Sequence, residues 1–207
     1  MSRIRKLLLI TSSSVLALSA CGNGAENASP RGADVALLTE LAPASWADAA
    51  GQFIGVDGAP IGHVVLTNTP RAGVLMRVDI AGVSEGWHAL HLHNVGNCSD
   101  YADGFKASGS HVDPDDQPHG LLNIYGPERA DMPNIYAGAD GHATAELFNG
   151  TVALFASEAS AAQAGPFPLF DDDGFAIIIH ENADDHTTQP IGGAGKRIAC
   201  AAIRGAG

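Results

Sequence analysis

Several histidines are spaced as metal ligands could be. His91-Leu92-His93 reads as part of a strand, where residues i and i+2 share one face, so both imidazoles point the same way. His88, three residues earlier, falls on the opposite face. Two histidines on a strand face can equally be ordinary hydrogen-bonding residues, so the chemistry depends on what joins them. Downstream, His111 and His119 flank the carboxylate-rich stretch VDPDDQP, and His180 ends the apolar run FAIIIH, followed by Glu181 and the pair Asp184-Asp185. A strand-end histidine beside a loop is where ligands are commonly presented. Imidazole suits copper and zinc, whereas carboxylates alone would suggest calcium or magnesium.

The elements that must position these residues are short strands. From about residue 49, GHVVLTN, GVLMRVDIAG, WHALHLHNV, HATAELFNGTVALF and GFAIIIHE are β-rich runs separated by Gly, Pro, Asn and Asp clusters such as DPDDQPHG and DDDG. No helix of convincing length or capping is expected after residue 50. Two connections are long, roughly 94–141 and the stretch after His180, and connections of that size are usually functional. The predicted fold class is all-β, a sandwich or barrel with large functional loops.

The chain has 207 residues, of which 45% are hydrophobic, so it can build one core of ordinary size. Its 23 acidic residues outnumber 11 Lys and Arg, for a net charge of −12, which argues against nucleic acid as a partner. The opening MSRIRKLLLITSSSVLALSAC has a basic start (Arg3, Arg5, Lys6) and an apolar stretch too short and too polar for a membrane span. Leu18-Ser19-Ala20-Cys21 resembles a bacterial lipobox, whose cysteine is lipidated and becomes the first mature residue. Gly22, where inner-membrane retention would favour Asp, points by the same resemblance to the outer membrane.

The expected organisation is therefore a leader at 1–20, a flexible tether at 21–48 and the β domain at 49–207. Removing the leader leaves 8 basic against 23 acidic residues, a net −15. It also leaves Cys98 and Cys200 as two cysteines in an oxidising compartment. A bridge between them would close a loop of about 100 residues, worth roughly 4–5 kcal/mol in the chain-entropy model.

HALHLHNVGNC, ASGSHVDP, PHG, GPERADMPN, DGFAIIIHENADD and GGAGKRIAC fall in the order and spacing of the bacterial copper/zinc superoxide dismutase family, which the chain resembles over about residues 49–204. The resemblance implies a Greek-key β-barrel or sandwich of about eight antiparallel strands. It implies dismutation of superoxide to dioxygen and hydrogen peroxide, with copper and zinc as cofactors. The copper ligands carry over to His91, His93, His111 and His180, with His111 bridging to zinc and supplying a proton as its copper bond breaks. The zinc positions are His111, His119, residue 128 and Asp131. Arg197 matches the arginine that guides the anionic substrate, beside Lys196. Asp184 matches the carboxylate that hydrogen-bonds one histidine of each metal, here His91 and His119, and Cys98 and Cys200 match the disulfide. The implied partners are superoxide and a membrane reached only through the lipid, in the periplasm, with a homodimer as one open form of assembly.

One position departs from the family pattern. GPH-x-x-D would supply a third zinc histidine, but this chain has Gly126-Pro127-Glu128 and then Asp131. Zinc accepts glutamate oxygen, so a His/His/Glu/Asp site is chemically sound and one unit more negative. The other reading turns Glu128 to solvent and leaves zinc weakly held or absent. The preferred expectation is Glu128 as a zinc ligand. The alternatives are a copper-only dismutase or a copper-buffering lipoprotein of the same fold. His63, His142 and His186 are expected to have ordinary structural roles.

Overall fold

The computed structural model describes residues 47–157 and 165–205. The leader, Cys21 and nearly all of the tether lie outside the described residues. The strands are β1 (Ala49–Gly55), β2 (Pro60–Asn68), β3 (Val74–Ile80), β4 (Gly86–His88), β5 (Leu90–His93), β6 (Ile135–Ala137), β7 (Ala143–Asn149), β8 (Val152–Ala153), β9 (Phe167–Pro168), β10 (Phe175–His180) and β11 (Arg197–Ile203). Among the described residues the only helical pieces are two single 3-10 turns, Tyr101–Asp103 and Lys106–Ser108.

Seven strands form one antiparallel sheet in the order β5-β10-β11-β1-β2-β3-β7. After the β1-β2-β3 meander the chain does not continue to the neighbouring position but crosses to β4 and β5 at the far edge, as in a Greek key. The sheet curls until its edges meet. β4, one residue before β5, pairs with β6, and β6 turns into β7 through a hairpin in which Gly138 N–H donates to His142 O at 2.9 Å. The wall is thus a β-barrel, all antiparallel except for the small parallel pair β8-β9.

Alternation decides what faces inward. Val64 and Leu66 of β2, Val74, Met76, Val78 and Ile80 of β3, Leu90 and Leu92 of β5, and Phe175, Ile177 and Ile179 of β10 fill one core. Every residue of β5 and of β10 is buried, because loops cover their outer faces as well. This double burial explains why FAIIIH reads as a continuous apolar run rather than an alternating one. On the outer side, Ala176 and Ile178 pack with Phe105, Cys98 and Cys200. There the Cys98–Cys200 disulfide, with its Cα atoms 5.8 Å apart, fastens the 96–109 segment to β11.

The named runs cover β2, β3, β4, β5, β7, β8 and β10 but miss β1, β6, β9 and β11. β1 (AAGQFIG) and β11 (RIACAAI) are rich in Ala and Gly, which have weak strand preference; pairing with neighbours on both sides makes them strands. The three-residue β6 interrupts the expected 94–141 connection.

Candidate metal centre

With Leu90 and Leu92 in the core, His91 and His93 must project from the outer face of the barrel, where they are nevertheless buried. β10 pairs with β5 so that Ile178 lies opposite His91 and Ala176 opposite His93, placing the outward His180 one step along the same face. A bulge after Ile179 then sets His180 opposite Arg197 of β11. The free edge of β5 is capped by loop backbone. Val112 N–H donates to Leu92 O at 3.0 Å, and Leu92 N–H donates to Ala130 O at 3.1 Å. Those two segments carry His111 and Asp131, which sit opposite His93 and His91 respectively.

One group is all imidazole. His91, His111 and His180 each offer a ring nitrogen within 4.8 Å of the others, with His91 Nδ1 and His180 Nε2 3.3 Å apart. His93 stands slightly apart, its ring centroid 5.1 Å from that of His111 and 6.2 Å from that of His180. The remaining nitrogens are anchored: His93 Nδ1 on Gly109 O at 3.0 Å and His180 Nδ1 on Gly195 O at 3.2 Å. His93 Nε2 and His111 Nε2 are buried with no hydrogen-bond partner. Unpaired buried nitrogens are costly unless something occupies them, and imidazole lone pairs converging here fit copper. Burial drives the pKa of His180 down to about 3 and that of His93 well below its ordinary value, with Arg197 adding to the effect at His93. Burial lowers His91 too, against the pull of Asp184. These rings are held neutral, the form that binds a metal.

The adjoining group is mixed. His111, His119, Glu128 and Asp131 bring one ligand atom each within 4.8 Å. Glu128 Oε2 lies 2.5 Å from His111 Nδ1 and 3.1 Å from His119 Nδ1, so the side chain turns inward rather than to solvent. Asp131 Oδ2 accepts backbone N–H bonds from Gly120 at 2.8 Å and Glu128 at 2.9 Å. Its buried Oδ1 makes no hydrogen bond, although it lies 2.6 Å from His119 Nδ1. Two imidazoles and two carboxylates around one point fit zinc. Burial opposes charge here as well, but Asp131, Asp184 and Glu128 outweigh it and push the His119 pKa up to about 11. Burial likewise works against ionised Glu128, yet His111 and His119 hold it down to about 2.

Asp184 spans the two groups. Its Oδ2 accepts from His91 Nε2 at 2.8 Å and lies 3.1 Å from His119 Nε2. Burial would raise its pKa, but the bonds to His119 and His91 hold it far below the usual carboxylate range. Gly192 backs it closely: a Cβ at that position would collide with Asp184 Oδ1. That requirement was visible only as a glycine run in GGAGKRIAC.

Arg197 donates to Phe105 O (2.8 Å), Ser108 Oγ (3.0 Å) and Gly109 O (2.9 Å). The 96–109 segment thus fixes the guanidinium at a cavity of about 410 Å³, whose wall includes His93, His111, Glu128 and His180. Ser108, buried and bonded to Phe105 O at 2.7 Å, was not singled out in the sequence. A larger cleft of about 730 Å³ beside Arg129 and Asp115 touches none of these imidazoles.

The other histidines fall outside these groups. His88 is buried, with its ring nitrogens 2.8 Å from His180 O and 2.8 Å from Ser84 O. His142 pairs with Asp79 at 3.0 Å on the surface. His63 is buried on β2. His186 is nearer the centre than expected, its N–H donating to Asp184 Oδ1 at 2.7 Å.

Comparison with known proteins agrees with this geometry. The family model described as copper/zinc superoxide dismutase matches residues 61–203. A superoxide dismutase [Cu-Zn] of Caulobacter vibrioides is 45% identical over 150 residues, covering 72% of this chain and 80% of that protein. Superoxide dismutase [Cu-Zn] 2 of Aquifex aeolicus is 36% identical over 154 residues, covering 74% and 84%. Among solved structures, a double mutant of a SOD-like protein from Bacillus subtilis superposes with a TM-score of 0.68 at 28% identity, covering 75% of this chain and 97% of that one.

Proposed function

The chain belongs to the copper/zinc superoxide dismutase family, and on that premise we propose how its own side chains carry out the dismutation of superoxide. Superoxide is the substrate, and copper and zinc are the cofactors. Copper is held by His91, His93, His111 and His180, and zinc by His111, His119, Glu128 and Asp131. Bound copper supplies the one-electron chemistry that oxidises one superoxide to dioxygen and reduces a second towards hydrogen peroxide, while zinc supplies a fixed positive charge beside it.

The observation that carries this reading is the two-sided environment of His111. Its Nδ1 meets Glu128 in the mixed group, and its buried Nε2 is unpaired. A ring held at Nδ1 can accept a proton at Nε2 and return it without changing place, which suits delivery of one of the two protons that peroxide needs. Asp184 keeps a proton on Nε2 of His91, which leaves that ring's Nδ1 lone pair free. Arg197, with Lys196 next to it, draws superoxide inward. Three of its five N–H donors are used on Phe105, Ser108 and Gly109, leaving donors for an anion in the cavity. A net charge of −12 on the whole chain does not prevent this, because the local field of a cleft governs approach.

Glu128 is proposed as the fourth zinc ligand in place of histidine. The support is its inward oxygen between two Nδ1 atoms and its low pKa, which keeps it anionic. The added negative charge should lower the copper potential relative to a histidine at this position. Lipidation at Cys21 and a periplasmic location, with the lipid in the outer membrane, are proposed from the lipobox-like leader; the disulfide fits an oxidising compartment. Cys21→Ser should release the protein from the membrane fraction.

Dismutation by metal-loaded protein, with none from the metal-free form, tests the activity. Binding of copper without turnover would favour a buffering role instead.

A further inference from the structure

We infer that Asn134 and Gln189 are a reciprocal pair of positioning residues that lock the loop bearing the zinc-side ligands to the loop bearing Asp184. Asn134 follows Asp131 on the first loop. Its Oδ1 accepts from Asp184 N–H at 2.8 Å, and its Nδ2 donates to Asp184 O at 2.9 Å. The second Nδ2 hydrogen faces His186 Nε2 at 3.2 Å. Gln189 follows Asp184 on the other loop and returns the same grip. Its Oε1 accepts from His119 N–H at 3.0 Å, and its Nε2 donates to His119 O at 2.7 Å and to Thr187 O at 3.1 Å.

The choice of gripped residues gives the pair its meaning. Asp184 and His119 are the two whose side chains meet, His119 Nε2 lying 3.1 Å from Asp184 Oδ2. Each partner of that contact has its backbone held by an amide from the opposite loop. Both peptides lie outside strands, so without the clamps their N–H and C=O groups would lack these partners. A carboxamide can accept from an N–H and donate to a C=O together, which an ionised carboxylate cannot. A carboxylate would lose the donated bonds and, at 134, add negative charge beside Asp184. The loops approach closely enough that a Cβ on Gly120 would collide with His186 O, and Leu122 N–H donates to His186 O at 3.1 Å.

Through Asp184 the clamps reach both metals, because the same carboxylate orients His91. Groups that orient ligands in this way are typically worth about 10–100-fold in metal affinity. This inference rests on the ligand assignment proposed above, and the test separates the two. Full-length metal-free protein is titrated with zinc against a chelator as wild type, Asn134→Ala, Gln189→Ala and the double variant. Each single change should weaken zinc about tenfold. The double variant should lose less than the product of the two, since both hold one contact.

A second readout needs no metal. In the metal-free protein, the Nε2 protons of His91 and His119, sheltered on Asp184, should exchange with water faster by proton NMR in the variants. Gln189 is exposed, so its variants keep the test open if Asn134→Ala folds poorly. Gln189→Glu should behave like Gln189→Ala. Wild-type protein that binds no zinc would overturn the ligand assignment while leaving the proton-exchange test of the clamps intact. Unchanged exchange of both protons in the Gln189 variants, even with a lower Tm, would overturn the clamps.

Discussion

The all-imidazole group and the mixed group, proposed above to hold copper and zinc, are built by different means. His91, His93 and His180 stand on β5 and β10, where ladder hydrogen bonds and a buried inner face fix the backbone. His119, Glu128 and Asp131 stand on a connection with no strand of its own, held by Asp131 Oδ2 and by the side-chain amide of Gln189. The electrostatics diverge in the same way. Burial strips the proton from His180, whose pKa falls to about 3, whereas the surrounding carboxylates push His119 up to about 11. The first half is a neutral pocket formed by strand register. The second is an acidic cluster whose carboxylates favour positive charge on His119.

This contrast can be broken at several points. Cys200→Ser should cost the most, about 4 kcal/mol of unfolding free energy, because the closed loop spans 102 residues. Denaturant unfolding measures it; a loss under 1 kcal/mol would mean the barrel wall does not depend on that fastening. Asp184→Ala strikes the joint between the halves. Zinc affinity should fall about 100-fold and copper affinity about tenfold, since copper keeps three strand or strand-edge histidines untouched. Equal losses for both metals would erase the difference between the two halves.

Arg197→Ala should lower kcat/KM for superoxide about tenfold and flatten its dependence on ionic strength, with copper content unchanged. An unaltered rate would remove its guiding role. The smallest effect concerns pH. Glu128, held at about 2, stabilises the metal-free fold above its ordinary pKa of 4.5, and that contribution is lost as pH falls through about 2. Glu128→Gln should therefore flatten the loss of stability across this window in acid-unfolding curves. Parallel curves for the two proteins would contradict the inward ion pair.

Much of the strand-borne half was legible in the sequence. Period-two alternation alone put His91 and His93 on one face, and the apolar run into His180 marked a strand end. In the loop-borne half, His111 and His119 stood out only as flanking a carboxylate-rich stretch, and Glu128 and Asp131 only through motif resemblance, because no periodicity links the four across a connection. Their meeting depends on loop backbone capping the β5 edge, a long-range pairing that leaves no local signal. β1 and β11 escaped for a related reason: Ala and Gly become strand residues there through their neighbours. Asn134 and Gln189 look like ordinary polar loop residues until both loops are seen together. Glu128 was visible as a departure, and its inward direction is set by the fold around His111 and His119.

Glu128 decides how zinc is held, and metal content alongside activity tests that role most directly. Purified full-length wild type should carry one copper and one zinc per chain and dismutate superoxide. Glu128→Ala should retain copper and lose zinc. Wild type with copper alone at full activity, or Glu128→Ala with its zinc intact, would contradict it.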